Sequence, residues 1–370
     1  MSVTFHQPPR RILVRGVNWL GDAVMTTPAL RRLREKFPGA HITLLCADKI
    51  CPLFEQHSAV NETIPFAKDE GIFAIAKKLR AKNFDLALVL PNSPRSALEV
   101  FLAGIPQRIG YARPWRNFFL TQAVASHAGA VKMRKRTASE IHELVAADVN
   151  RRIQPITDSA HQIHEYLHLV AALGASPEPL APQLTVTEVE IAAAKATFNV
   201  EDKTYQHPFF AINPGAEYGT AKRWPADKFI SAALEIRRRT PCNWVILGGK
   251  TDCALASKIE QGIDGAVWNV AGQTNLRELM ALLASCRVLL SNDTGPTHVA
   301  AALGTPVVVP FGSTSPELTA PGLPGDARHH LLKSDAVCAP CFLRECPIDF
   351  RCMNGITVDR VVAAVIAAAR

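Results

Sequence analysis

No stretch of the chain reaches the run of about 20 apolar residues that a membrane-spanning helix needs, so a bilayer-crossing segment is not expected. The opening MSVTFHQPPRR has neither an apolar core nor a small-residue cleavage site, so a secretion signal is not expected either. There is no GxxxxGKS or GxxxxGKT phosphate loop, and no GxGxxG follows the first strand, which sets aside P-loop chemistry and nicotinamide binding. No Asp-x-Asp is present to hold a nucleotide sugar through a divalent metal. With no export signal, the nine cysteines are expected to be reduced thiols in a cytoplasmic protein. Acidic residues are short in one half only. Residues 1–185 carry 23 Lys and Arg against 15 Asp and Glu, whereas residues 186–370 carry 18 of each. The whole excess of +8 therefore lies in the first half, where it suits an anionic partner: a membrane surface, a phosphorylated substrate or nucleic acid.

What is present is a long globular α/β pattern. A chain of 370 residues is comfortable for two domains, and 48% apolar with 20% charged residues is the composition of a folded protein. Apolar runs at residues 11–15, 41–46, 85–90 and 107–111 read as strands. Amphipathic stretches at 23–37, 69–82 and 96–103 read as helices between them, and two more helical stretches follow at 137–150 and 161–173. This alternation predicts a parallel sheet covered on both faces. Ala175 to Pro182 (ASPEPLAP) is the best linker candidate, and after it the alternation restarts. The fold class expected is α/β with two similar halves, divided at 1–182 and 183–356, and a terminal helix at 357–370. Ligands of such sheets sit beyond the carboxyl ends of strands, so a cleft between the halves is the default site.

One string organises the chain: RVLLSNDTGPTHVAAALGTPVVVPFG, residues 287–312. It reads as buried strand, tight polar turn, short helix and buried strand. Asn292 to Gly295 are the polar turn, Asp293 or Thr294 is the natural N-cap, and the helix reads Pro296 to Leu303 with proline in its first turn. Free backbone N–H groups and the helix dipole at that turn suit an anion, most simply a phosphate. His298 lies one turn further in, where its imidazole can reach the same spot. Lys222, in the loop after the first strand of the second half, suits a phosphate as a mobile point charge. Residues 312–316 (GSTSP) form a second small-residue turn able to hydrogen bond phosphate or sugar. Asp22, where the first strand's turn meets its helix, is either a general base or an acid stabilised by the helix dipole. The basic clusters of the first half are residues 108–116, with Arg108, Arg113 and Arg116, and residues 132–136. Cys338, Cys341, Cys346 and Cys352 are spaced C-x2-C-x4-C-x5-C, which leaves open a zinc site or unmetallated thiols in a proline-rich loop.

The residues together resemble a known family. RILVRGVNWLGDAVMTTPALRRLREKFPGAHITLL resembles the opening of the lipopolysaccharide heptosyltransferases, glycosyltransferase family 9. NPGAEYGTAKRWP and SNDTGPTHVAAALGTPVVVPFGSTSPELTAP are similar to that family's donor segments, and CAPCFLRECPIDFRCM to the cysteine segment of its heptosyltransferase II branch. The resemblance implies a glycosyltransferase-B fold, in which two Rossmann-like domains face each other across a cleft and the last helix packs back toward the first. It implies ADP-heptose as donor, bound by the second domain through Lys222, Asp293, Thr294, Gly295 and His298. The acceptor would be a lipid A-linked inner core in the first domain, with Asp22 as base and Arg108, Arg113 and Arg116 as acceptor contacts. Asp293 would repel a diphosphate, so it is expected to bind sugar hydroxyls or backbone N–H groups. The implied enzyme uses no cofactor and no obligatory metal, and works peripherally at the inner face of a Gram-negative cytoplasmic membrane without nucleic acid. A heptosyltransferase I or III acting on another acceptor remains an alternative, as does a non-catalytic basic protein on an anionic membrane or nucleic acid.

Overall fold

The computed structural model describes residues 7–147, 156–200 and 207–370. In chain order the first elements are β1 (Arg11–Arg15), α1 (Leu20–Met25), α2 (Thr27–Lys36), β2 (His41–Ala47), β3 (Glu62–Phe66), α3 (Ile72–Arg80) and β4 (Leu86–Val89). Then come α4 (Pro94–Leu102), β5 (Gln107–Tyr111), β6 (Gln122–Val124), α5 (Ala138–Ala147), α6 (Gln162–Ala171) and α7 (Glu188–Thr197). The later part holds β7 (Phe209–Asn213), α8 (Ala226–Arg239), β8 (Asn243–Ile246), α9 (Cys253–Gly262), β9 (Val267–Asn269), α10 (Leu276–Ser285) and β10 (Val288–Ser291). It closes with α11 (Gly295–Ala302), β11 (Val307–Phe311), α12 (Pro316–Thr319), β12 (His330–Lys333), α13 (Arg351–Asn354) and α14 (Val358–Ala368).

The chain divides into two units. The first is Met1–Ala130 with Ser159–Thr185, and the second is Val131–Asp158 with Val186–Arg370. Each contains a six-stranded, wholly parallel sheet, ordered β3-β2-β1-β4-β5-β6 in the first and β12-β11-β10-β7-β8-β9 in the second. Counted from each unit's own first strand, the two orders are the same, the doubly wound order with its reversal between the first and fourth strands. Loops leaving the strands beside that reversal are where such sheets bind ligands. In the first unit they follow β1 and β4; in the second they follow β7 and β10.

The central strands are apolar throughout because helices cover both faces. Val288, Leu289 and Leu290 of β10 are fully buried. Each contributes roughly 1.5–3 kcal/mol by burial, which offsets the buried polar residues Ser291 and Asn292 that follow and are themselves hydrogen-bonded. In the second unit Phe210, Ile212, Trp244 and Ile246 of the sheet pack with Phe229, Ala232 and Ile236 of α8.

Two features differ from the sequence reading. The single helix expected at 23–37 is two helices. Pro28 has no N–H to give the carbonyl of Val24, and the Thr27 hydroxyl takes that carbonyl at 2.8 Å, so the ladder breaks at Thr26. Residues 131–158 were read with the first half, yet they belong to the second unit. Arg136 donates its N–H to the Cys341 carbonyl at 3.0 Å, and Ile141 of α5 packs on Cys338 and Cys341. That segment carries six basic and four acidic residues, which leaves the first unit 17 basic against 11 acidic. The end of the helix read at 137–150 lies outside the described residues. The expected terminal helix is α14, and its buried residues Val361, Val362, Ala364 and Val365 belong to the second unit's core.

Candidate functional site

In the second unit the loops after β7 and β10 are tied together by Asn292, which is fully buried. Its amide donates to the Pro214 carbonyl at 2.7 Å and its side-chain oxygen accepts the Trp224 N–H at 2.9 Å. Asn213 at the end of β7 donates to the Ser291 hydroxyl at the end of β10 at 3.2 Å. Trp224 is buried in turn, its indole N–H donating to the Ile356 carbonyl at 3.1 Å. These bonds fix both ends of the segment 214–223, whose 3-10 turn Thr220–Lys222 carries Lys222 to the start of α11. Sequence reasoning saw the polar turn but not this tie, because the partners are some 70–80 residues apart.

Lys222 meets Asp293 there. Its Nζ lies 2.5 Å from Asp293 Oδ2 and 3.3 Å from the Asp293 carbonyl, and the two side chains are 14% and 5% exposed. The Thr314 hydroxyl, from the small-residue turn after β11, donates to the same Oδ2 at 2.6 Å. A carboxylate this buried must be paired. Its partners are an ammonium and a hydroxyl, where the sequence reading expected sugar hydroxyls or backbone N–H groups. An ammonium has three donors. Asp293 takes two, so one remains for a ligand. Thr294 is the N-cap of α11 but its hydroxyl makes no capping bond. The positive end of the helix at Gly295 is thus left without a side-chain cap. His298 is in the same first turn and is buried.

Tyr218 stands beside Lys222. Its hydroxyl donates to the Phe342 carbonyl at 2.8 Å, and its ring has Lys222 Nζ 5.1 Å from its centroid and the Arg344 guanidinium carbon 5.3 Å from it. The cysteine segment is therefore built against this site. Both Cys341 and Phe342 donate their N–H to the Ser313 carbonyl, at 3.1 and 2.7 Å, and Ala221 donates to the Arg344 carbonyl at 2.9 Å. Gly219 admits that approach, since a Cβ there would collide with the Arg344 backbone.

Cys338, Cys341 and Cys352 are buried free thiols and Cys346 is half-buried. Burial, followed by the charges of the other three, pushes the Cys352 thiol up to about 12. Burial is also the first cause of the upward shifts of Cys338 and Cys341. Among the described residues no group of three or more His, Cys, Asp or Glu stands in a metal-holding arrangement, so the zinc alternative gains no support from the placement of these thiols. The reduced-thiol reading fails for one pair. Cys46, in β2, and Cys51, just beyond it, are disulfide-bonded, with Cα atoms 5.6 Å apart. Their spacing of five residues spans one turn, which composition could not reveal.

In the first unit Asp22 is half-buried in the first turn of α1, at the loop that leaves β1 beside the sheet's reversal. The loop is held from below by Arg15, which donates to the Gly16 carbonyl at 2.6 Å, to Asn18 Oδ1 at 3.0 Å and to the fully buried Glu99 at 2.9 Å. Burial, and then the charge of Asp22, hold the Tyr166 phenol well above its ordinary range. Of the three arginines singled out by sequence, Arg108 is spent on the Phe119 and Ile105 carbonyls, at 2.8 and 2.6 Å. Arg113 donates to the Ala112 carbonyl at 2.8 Å and to Ser126 Oγ at 3.0 Å. Arg116 is wholly buried, reaches Asn92 Oδ1 at 3.3 Å, and has Nε and one terminal nitrogen without a partner among the described residues. Burial, reinforced by Arg113, lowers it to about 10.

The family model for Glycosyltransferase family 9 (heptosyltransferase) matches residues 72–139 and 123–350. Lipopolysaccharide heptosyltransferase 2 of Salmonella typhimurium is 31% identical over 322 residues, covering 84% of this chain and 85% of that protein. Lipooligosaccharide heptosyltransferase 2 of Haemophilus ducreyi is 32% identical over 324 residues, covering 84% and 86%. The solved structure of ADP-heptose lps heptosyltransferase II of E. coli superposes with a TM-score of 0.75 at 27% identity, over 97% of this chain and 98% of that one. A family match running through both sheets, with relatives aligned along most of their own length, makes this chain a member of glycosyltransferase family 9, the heptosyltransferases.

Proposed function

We propose that this protein is an inverting glycosyltransferase that moves L-glycero-D-manno-heptose from ADP-heptose to heptosyl-Kdo2-lipid A during assembly of the lipopolysaccharide inner core. The observation that carries the donor half of this reading is the Lys222–Asp293–Thr314 cluster at the uncapped start of α11. It offers a partly neutralised ammonium and a helix dipole to a diphosphate. The curated relatives named as heptosyltransferase 2 support the rest. In the reaction, Asp22 takes the proton of an acceptor heptose hydroxyl, and that oxygen bonds to the donor's anomeric carbon. The bond from that carbon to the diphosphate oxygen breaks, and ADP leaves with its growing charge met by Lys222 and the start of α11. No step draws on a metal or cofactor.

Among the described residues no helix is long and apolar enough to cross a membrane. Peripheral attachment at the inner face of the cytoplasmic membrane is supported by Trp115 and Phe118, 90% and 82% exposed on the loop that also carries Arg113. The first unit's remaining excess of basic residues suits an acidic, phosphorylated acceptor.

The test is to incubate the protein with ADP-heptose, excess chelator and three lipid acceptors: Kdo2-lipid A, its monoheptosyl form and its diheptosyl form. The expected result is a mass gain of one heptose on the monoheptosyl acceptor alone. Elongation of either other acceptor instead would assign the chain to heptosyltransferase I or III. Activity that disappears with chelator and returns with metal would contradict the metal-free scheme.

A further inference from the structure

We infer that Arg344 is a second diphosphate-binding cation of the donor site, working with Lys222 beside the same tyrosine ring. This rests on the donor reading above, and it gives the cysteine segment a function that nothing in the sequence reading supplied.

Two cations address one ring. Lys222 Nζ and the Arg344 guanidinium carbon stand 5.1 and 5.3 Å from the centroid of Tyr218, so they are at most about 10 Å apart. A diphosphate presents oxygens on two phosphorus atoms and can be met at both ends by groups so spaced. The two cations differ in how their charge is used. Lys222 is half-buried and already paired with Asp293. Arg344 is exposed and its guanidinium has no hydrogen bond or ion pair to any described residue; what it has is the cation–π contact with Tyr218. A planar guanidinium held against an aromatic face still presents its N–H edge outward, in the fork that matches phosphate oxygens.

The backbone of Arg344 is positioned as firmly as a site residue requires. Its carbonyl accepts the N–H of Ala221, the residue before Lys222, at 2.9 Å. Gly219 lacks the Cβ that would push the two segments apart. The Tyr218 hydroxyl donates to the Phe342 carbonyl, two residues before Arg344, so the ring cannot swing away without losing that bond. The neighbouring Cys341 and Phe342 N–H groups are bonded to Ser313, beside the Thr314 that binds Asp293. One connected set of bonds thus sets the position of Lys222, Tyr218 and Arg344 together.

The experiment is calorimetric titration of ADP into the full-length protein and into Arg344→Ala, Arg344→Lys, Arg344→Glu and Lys222→Ala. Because Arg344 is exposed, its variants are expected to melt within a degree or two of the parent. Loss of a charge-assisted contact predicts ADP binding weaker by about tenfold to a hundredfold in Arg344→Ala. Arg344→Lys retains part of the affinity, and Arg344→Glu loses more than the alanine variant. A purely structural role predicts instead that alanine, lysine and glutamate variants lose affinity equally, and that result overturns the inference. So does an unchanged ADP affinity in Arg344→Ala. If Lys222→Ala still weakens binding in that case, the donor site stands and only Arg344 is misassigned. If the parent does not bind ADP at all, the donor reading itself has failed and the inference falls with it.

Discussion

Replacing Asp22 with Asn is expected to lower kcat by about a hundredfold to ten-thousandfold while leaving the KM for ADP-heptose nearly unchanged. The substitution keeps the size of the side chain and removes its ability to accept a proton. Asp22 lies in the first turn of α1, where its neighbours Ala23, Val24 and Met25 are buried and fix the helix. The preceding loop is tied to Arg15, whose own position is set by Glu99. Asparagine keeps an oxygen acceptor at the same position, so the variant is expected to fold, and its melting temperature is measured beside the parent's. The Lys222–Asp293–Thr314 cluster proposed to hold the donor belongs to the other unit, which is why KM for the donor should stay put. Steady-state kinetics with saturating acceptor reads the effect directly. Turnover near the parent's value in a variant of unchanged melting temperature would remove Asp22 from the role of base.

Lys222→Met is expected to act twice, once on binding and once on stability. Loss of the ammonium should weaken ADP binding by about a hundredfold or more, because a charged contact to phosphate is lost along with its balance against Asp293. It also leaves the Asp293 carboxylate, 5% exposed, without its cation. Breaking a buried pair from one side costs about 3–5 kcal/mol, so the melting temperature should fall clearly. The double variant Lys222→Met, Asp293→Asn separates the two effects. With both charges gone, the Thr314 hydroxyl still has an amide oxygen to donate to, and stability should largely return. ADP affinity should not return. If the double variant regained both, Lys222 would serve only to neutralise Asp293 and would not be a phosphate contact.

Much of this architecture could be read from residue order, and the exceptions share a cause. The strands β1 and β5 begin and end where the apolar runs put them. The strands that went unread, β3, β6 and β12, are all at sheet edges. An edge strand is covered on fewer sides and needs fewer apolar residues; β3 carries Pro65, β6 is three residues long, and β12 has no buried residue. The site divides in the same way. The turn at Asp293–Gly295 could be seen because capping chemistry is local. The pairing of Lys222 with Asp293 joins residues 71 positions apart, and the contact of Arg344 with the Tyr218 ring is more remote still. No periodicity carries such contacts. The membership of residues 131–158 in the second unit was hidden for that reason too, since it rests on Arg136 and Ile141 meeting a cysteine segment 200 residues further on.

The position of ADP in a crystal of the protein soaked with that nucleotide tests the central claim most directly. The account predicts diphosphate oxygens within hydrogen-bond reach of Lys222 Nζ and of the backbone N–H at the start of α11. Nucleotide seated against any other part of the chain, with Lys222 still turned only to Asp293, would contradict it.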